Sequence, residues 1–126
     1  MAYISTETVA KIRKVIKEVF PTPTYKFSIR RESGGSLRVD VLKSPYDMSE
    51  LTNDYGYSSI NQYHMNQYDG IIGQDATEFL RDIKAIIVEA GDWWDESDAM
   101  TDYFNTAFYY QIGLGNYEKP YEQTGV

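Results

Sequence analysis

Apolar residues near the start of the chain recur at spacings of three and four. Val9, Ile12, Ile16, Val19 and Phe20, with Val15 beside them, make a stripe over residues 5–20, which is the signature of an amphipathic helix. Lys11, Arg13, Lys14 and Lys17 fall away from that stripe. Ser5 or Thr6 can cap the helix, Glu7 suits its first turn, and Pro21 and Pro23 end it. The period then drops to two. Tyr25, Phe27 and Ile29 alternate with Lys26, Ser28 and Arg30; after the turn signal Ser33-Gly34-Gly35-Ser36, Leu37, Val39 and Val41 alternate with Arg38 and Asp40. The two runs predict a hairpin of half-buried strands, the second ending near Ser44-Pro45.

Residues 46–73 are rich in Gly, Asn, Ser and Tyr. A third strand is expected from Tyr57 to Met65, with Ile60, Tyr63 and Met65 partly buried and Asp69-Gly70 and Gly73 as turns. A second helix is predicted from about Asp75, where Asp75 and Glu78 stand in the spacing of a capping box. Phe79, Leu80, Ile83, Ile86 and Ile87 make its buried stripe, and Gly91 its C-cap. Residues 103–114 alternate as a long strand, with Phe104, Thr106, Phe108, Tyr110, Ile112 and Leu114 on one face and Tyr103, Asn105, Tyr109 and Gln111 on the other. The order is helix, strand, strand, a possible strand, helix, strand. It predicts an α+β fold: a small antiparallel sheet of three to four strands with both helices packed on one face. Residues 1–126 are expected to form a single domain, with a short exposed C-terminal tail from about 117. The far sheet face would carry Lys26, Arg30, Arg38, Tyr109 and Gln111.

Composition narrows the chemistry. A chain of 126 residues can bury roughly two-thirds of its unfolded surface and needs no covalent staple. With no cysteine, thiolate metal sites, disulfides and cysteine nucleophiles are excluded; with His64 as the single histidine, so is a His-rich metal cage. No cofactor or metal site is expected. No apolar run approaches the roughly 20 residues of a membrane span, and the N-terminus lacks the basic and apolar regions of a secretory signal, so a cytoplasmic protein is expected.

The net charge of −7 is unevenly spread. Residues 1–63 hold nine Lys/Arg against seven Asp/Glu, whereas residues 64–126 hold three against twelve. Glu89, Asp92, Asp95, Glu96, Asp98 and Asp102 crowd around Trp93-Trp94 with no basic residue among them. Such a segment repels phosphate within a Debye length of roughly 8–10 Å and invites a basic partner. Two adjacent indoles cannot share one helix stripe; one is expected to cap the core while the other shields the loop or anchors an interface. The plainer reading of the acids is a solvated surface, since they lack the order of a calcium loop.

Three functional readings follow. The first is a non-enzymatic protein-binding module whose candidate surface is Trp93, Trp94, Asp92, Asp95, Glu96, Asp98 and Asp102, facing a partner with a basic groove. The second is nucleic-acid binding by Lys26, Arg30 and Arg38 on the sheet face, which the net charge disfavours. The helix–three strands–helix order also occurs in double-stranded RNA-binding domains, but Asp75 and Glu78 stand where phosphate contacts would be needed. The third is an enzyme using His64 with Asp69 nearby, although no nucleophile elbow accompanies them. Gly113-Leu114-Gly115 is too short for a dinucleotide fingerprint.

Several segments together carry a family resemblance. Ile12-Arg13-Lys14-Val15-Ile16-Lys17-Glu18-Val19-Phe20-Pro21, then Lys26-Phe27-Ser28-Ile29-Arg30 and Ser33-Gly34-Gly35-Ser36-Leu37-Arg38-Val39, resemble one of the large polyvalent protein-associated domains, the twenty-ninth of that series. Met100-Thr101-Asp102-Tyr103-Phe104-Asn105, Tyr109 to Gly113 and Tyr117-Glu118-Lys119-Pro120-Tyr121 resemble its ending. The resemblance implies a phage, plasmid or integrative-element setting, a bacterial cytoplasm, and a role in shielding incoming DNA from host defence. It transfers no catalytic residue.

Overall fold

A computed structural model of the chain describes residues 4–21, 24–32, 35–52, 56–60, 65–91, 93–94, 108–116 and 118–124. Among them, helix α1 (Thr6–Val19) is followed by strands β1 (Lys26–Glu32), β2 (Ser36–Ser44) and β3 (Ser58–Ile60). A 3₁₀ turn (Met65–Tyr68), the short helix α2 (Asp69–Ile72), helix α3 (Gln74–Ala90) and strands β4 (Tyr109–Leu114) and β5 (Glu122–Gln123) complete the order.

Local chemistry accounts for the helix ends. Ser5 is the N-cap of α1, its hydroxyl accepting the Thr8 N–H at 3.1 Å. Val9, Ile12, Ile16 and Phe20 are buried as the stripe requires, but Val19, at its margin, is 52% exposed. The expected capping box at Asp75 is replaced by a different start. Gly73, at φ 90°, breaks the backbone between α2 and α3, a conformation that L-residues avoid. Asp75 lies in the first turn of α3, and no side chain caps that helix. The turn signal Asp69-Gly70 is absorbed into α2.

The sheet is mixed rather than antiparallel. Its order is β1-β2-β4-β3, with β5 also joined to β2. β1–β2 is the predicted hairpin, pairing Ile29 with Val39 and Arg30 with Arg38. β4, however, lies parallel to β2 (Val39 opposite Ile112) and antiparallel to β3. A parallel pair needs a long crossover, and residues 45–108, including α3, provide it. Alternation specifies the face a residue takes, not the direction of the neighbouring strand, so the pairing was not legible.

The face carrying Leu37, Val39, Val41, Tyr110, Ile112 and Leu114 meets the stripes of α1 and α3 in the core, together with Phe79, Leu80, Ile83 and Ile87. Gly91 sits at a close approach between α3, Phe108 and α1. A Cβ there would lie 2.6 Å from the Ile87 carbonyl oxygen and 2.9 Å from Phe108. It ends α3 at φ −88°, so it is required for close approach rather than for a left-handed cap.

The third strand is shorter than expected. Ile60 in β3 is buried, Met65 is buried in the 3₁₀ turn, and Tyr63 and His64 lie outside the described residues. So do residues 103–107 of the long strand, while Phe108, Tyr110, Ile112 and Leu114 alternate as predicted with exposed Tyr109 and half-buried Gln111. The closing segment, expected as an exposed tail from about 117, is anchored. Tyr121 N–H bonds the Gly56 carbonyl at 2.8 Å, Thr124 N–H bonds that of Ser44 at 2.8 Å, and β5 pairs with β2. Side chains 118–120, 122 and 123 do point to solvent.

Candidate binding site

The far face of the sheet holds two of the three proposed nucleic-acid contacts, Arg30 and Arg38, and it uses both internally; the register shift at the start of β1 brings Lys26 to the α1 side instead. Arg30 and Arg38 are opposite each other in the β1–β2 register, a like-charge pair that costs stability unless each is neutralised. Each finds a carboxylate two residues on, along the same face of its own strand. Arg30 Nε meets Glu32 at 3.2 Å with both partners about half exposed, an arrangement that contributes little. Arg38 Nε reaches both oxygens of Asp40, at 3.1 and 3.2 Å. The Asp40 side chain is 0% exposed and that of Arg38 is 26% exposed. Gly113 on β4 makes room for this pair, since a Cβ there would stand 2.6 Å from the Asp40 carboxylate and 3.2 Å from the Arg38 guanidinium. The Gly113-Leu114-Gly115 run therefore has a packing explanation. Lys26, the third candidate, is exposed at the irregularity that starts β1.

The end of β2 is closed by a hydroxyl cluster. The Tyr121 phenol donates to the Tyr46 carbonyl at 2.6 Å and lies against the buried Ser44 hydroxyl. Burial pushes its pKa from 10.0 up to about 12, with the Ser44 hydrogen bond pulling the other way. Because the folded value lies above the unfolded one, the stability it confers is complete below pH about 10 and lost as pH rises toward 12. Tyr121→Phe is expected to cost about 1 kcal/mol at neutral pH and to flatten the fall in Tm between pH 9 and 11.5, measured beside the parent. A loss of Tm in that range as steep as the parent's would assign it to other tyrosines.

The two tryptophans are divided between core and surface. Trp93 N–H bonds the Val88 carbonyl at 2.9 Å, and its indole N–H donates to the Phe108 carbonyl at 2.7 Å. Its ring meets Tyr110 edge-on, with centroids 5.6 Å apart. Trp93 is thus fixed against the core, whereas Trp94 is 43% exposed. Asp92, Asp95, Glu96, Asp98 and Asp102 lie outside the described residues, as does His64.

Two concavities were not read from the sequence. The first, about 140 Å³, is lined by Phe20, Tyr46, Asp75, Glu78, Phe79 and Asp82. Burial, then the neighbouring Tyr25, raises the Tyr46 phenol pKa. The second, about 560 Å³, runs between α1 and β1 and is lined by Ala10, Arg13, Lys14, Ile16, Lys17, Phe20, Tyr25, Lys26, Phe27 and Ile29. The chain reverses after Pro21, whose carbonyl accepts the Tyr25 N–H at 3.3 Å, so that Lys26 lines the same groove as Lys14 and Lys17. That reversal was the signal available in the sequence. Among the described residues, no group of three or more His, Asp or Glu is placed to hold a metal, and no helix is long and apolar enough to cross a membrane.

These elements define a two-layer α+β domain, two helices over one face of a mixed sheet. The chain belongs to the family of large polyvalent protein associated domain 29, whose model matches residues 3–90. The match spans α1 through α3 and stops before β4 and the closing segments on which the resemblance also drew. The family is associated with polyvalent proteins of mobile elements. No curated protein and no solved structure matches the chain.

Proposed function

We propose that the chain is a non-enzymatic binding module that recognises a protein partner through the acidic segment around Trp93-Trp94. The observation that carries this reading is the unequal treatment of the two indoles. Trp93 is tied down by backbone and ring hydrogen bonds, and Trp94 is presented beside it with 43% of its surface open. A large aromatic on a fixed stem is the kind of group that dominates interfaces. Asp92, Asp95, Glu96, Asp98 and Asp102 surround it in sequence, a chemistry complementary to a basic groove such as a DNA-binding cleft. In a mobile-element setting, occupying such a cleft in a host nuclease within the bacterial cytoplasm would shield incoming DNA.

The test is titration of a DNA-binding host nuclease at rising salt. Binding is expected at low ionic strength, weakening with salt, and at least about thirtyfold weaker for Trp94→Ala, the threshold of an interface anchor. Failure to bind at every salt concentration, or affinity indifferent to Trp94, would overturn it. Nucleic-acid binding by the sheet face is the lesser reading, because Arg30 and Arg38 are already paired with Glu32 and Asp40.

A further inference from the structure

We infer that the groove between α1 and β1 is a second, independent recognition site, which takes an acidic protein segment carrying an aromatic or aliphatic anchor. The groove has a sharp division of chemistry. Its rim holds four cations, Arg13, Lys14 and Lys17 from the helix and Lys26 from the facing strand, and among the described residues no carboxylate lines it. The three lysines are exposed, and no ion pair within 4.0 Å engages them among the described residues. The sheet-face arginines Arg30 and Arg38, by contrast, each have a carboxylate partner. Four of the six N-terminal-half cations that no ion pair engages among the described residues, all but Lys11 and Arg31, are therefore gathered at this groove, in a protein whose net charge is −7.

The floor is apolar, with Ala10, Ile16 and Ile29 beside Phe20 and Phe27. A volume of about 560 Å³ falls within the range of sites that seat a large side chain or a small ligand. Arg13 also binds the Ile29 carbonyl through Nε at 3.1 Å. It thereby covers part of the open edge of β1 and fixes one wall.

The rings of the floor argue against nucleic acid. Phe20 packs on Tyr25 at 5.0 Å, on Phe79 at 5.0 Å and on Phe27 at 5.9 Å between centroids, so these rings spend their faces on one another. Single-stranded nucleic acid needs ring faces open for bases to stack on. An acidic peptide needs only cations at the rim and an apolar hole for its anchor. Attraction to a short acidic segment acts within a Debye length, whereas a long polyanion also meets the acidic half of the surface.

The probe is a short fluorescein-labelled peptide in which glutamates flank a single tryptophan, followed by anisotropy on the intact protein. Binding is expected at low salt and is expected to fall at least tenfold by about 0.5 M salt, where screening shortens the Debye length to roughly 4 Å. It should also fall at least tenfold with the double variant Lys14→Glu/Lys17→Glu, and with a peptide whose tryptophan is replaced by serine. These helix positions are exposed, so Tm should hold; Lys26→Glu provides the same test from the strand side. The inference is overturned if the peptide does not bind, or if it binds the charge-reversed variants equally well. It is also overturned if single-stranded DNA binds more tightly and is lost in the same variants. Concentration-dependent dimerisation abolished by Lys14→Glu/Lys17→Glu would assign the groove to a second copy instead. None of these readouts involves Trp94, so the groove and the acidic segment can fail separately.

Discussion

Arg38→Ala is expected to lower the unfolding free energy by about 3 kcal/mol, while Arg30→Ala changes it by less than about 0.5 kcal/mol. Both residues occupy the same sheet face in directly opposed positions, and both belong to an ion pair of nearly equal length. Burial of the partner separates them. Glu32 can return to water when its arginine is removed, but Asp40, at 0% exposure, is left as an uncompensated charge beneath the sheet surface. The lower end of the usual cost is expected because the Arg38 side chain is itself 26% exposed. Replacing both members with apolar residues, as in Arg38→Met/Asp40→Leu, should recover most of the loss. Urea denaturation of the three variants measures this. Equal losses for Arg30→Ala and Arg38→Ala would contradict the placement of Asp40. A nucleic-acid test of this face must therefore use Arg30→Ala, because lost binding in Arg38→Ala would report lost structure.

Trp93→Ala should destabilise the fold by about 3 kcal/mol, against less than about 0.5 kcal/mol for its neighbour in Trp94→Ala. The first truncation removes the ring packed edge-on to Tyr110 and leaves the Phe108 carbonyl without its indole donor. The second removes a ring that stands 43% in solvent. Thermal or urea unfolding distinguishes the two, and a reversed order would mean that Trp94, not Trp93, fastens the end of α3 to β4.

Helices were legible because the 3.6-residue period is written by a single continuous segment: Ile12 and Ile16 in α1, and Leu80, Ile83 and Ile87 in α3, occupy the buried positions that their spacing requires. Faces were legible for the same reason, from Leu37 to Leu114. What was not legible depends on residues distant in sequence. The parallel pairing of β2 with β4 and the return of Tyr121 to Ser44 and Tyr46 leave no local periodicity. The ion pair of Arg38 is not legible, because its two-residue spacing to Asp40 looks like ordinary strand alternation; β4, which lies against Asp40 at Gly113, arrives from elsewhere in the chain. The groove is not legible because the helix period shows only that Lys14 and Lys17 fall away from the apolar stripe, and the turn at Pro21 that brings Lys26 opposite them leaves no trace in that period. The incompatibility of two adjacent indoles with a single stripe was legible, and it correctly separated one core tryptophan from one exposed tryptophan.

With no other tryptophan in the chain, intrinsic fluorescence of Trp93→Phe and Trp94→Phe during titration with the host nuclease is the most direct test of recognition through Trp94. The Trp93→Phe protein, which emits from Trp94 alone, is expected to start red-shifted and readily quenched by acrylamide, then to shift blue and become protected as complex forms. The Trp94→Phe protein should be blue and protected throughout. Complex formation that leaves Trp94 emission and quenching unchanged would contradict recognition through this residue.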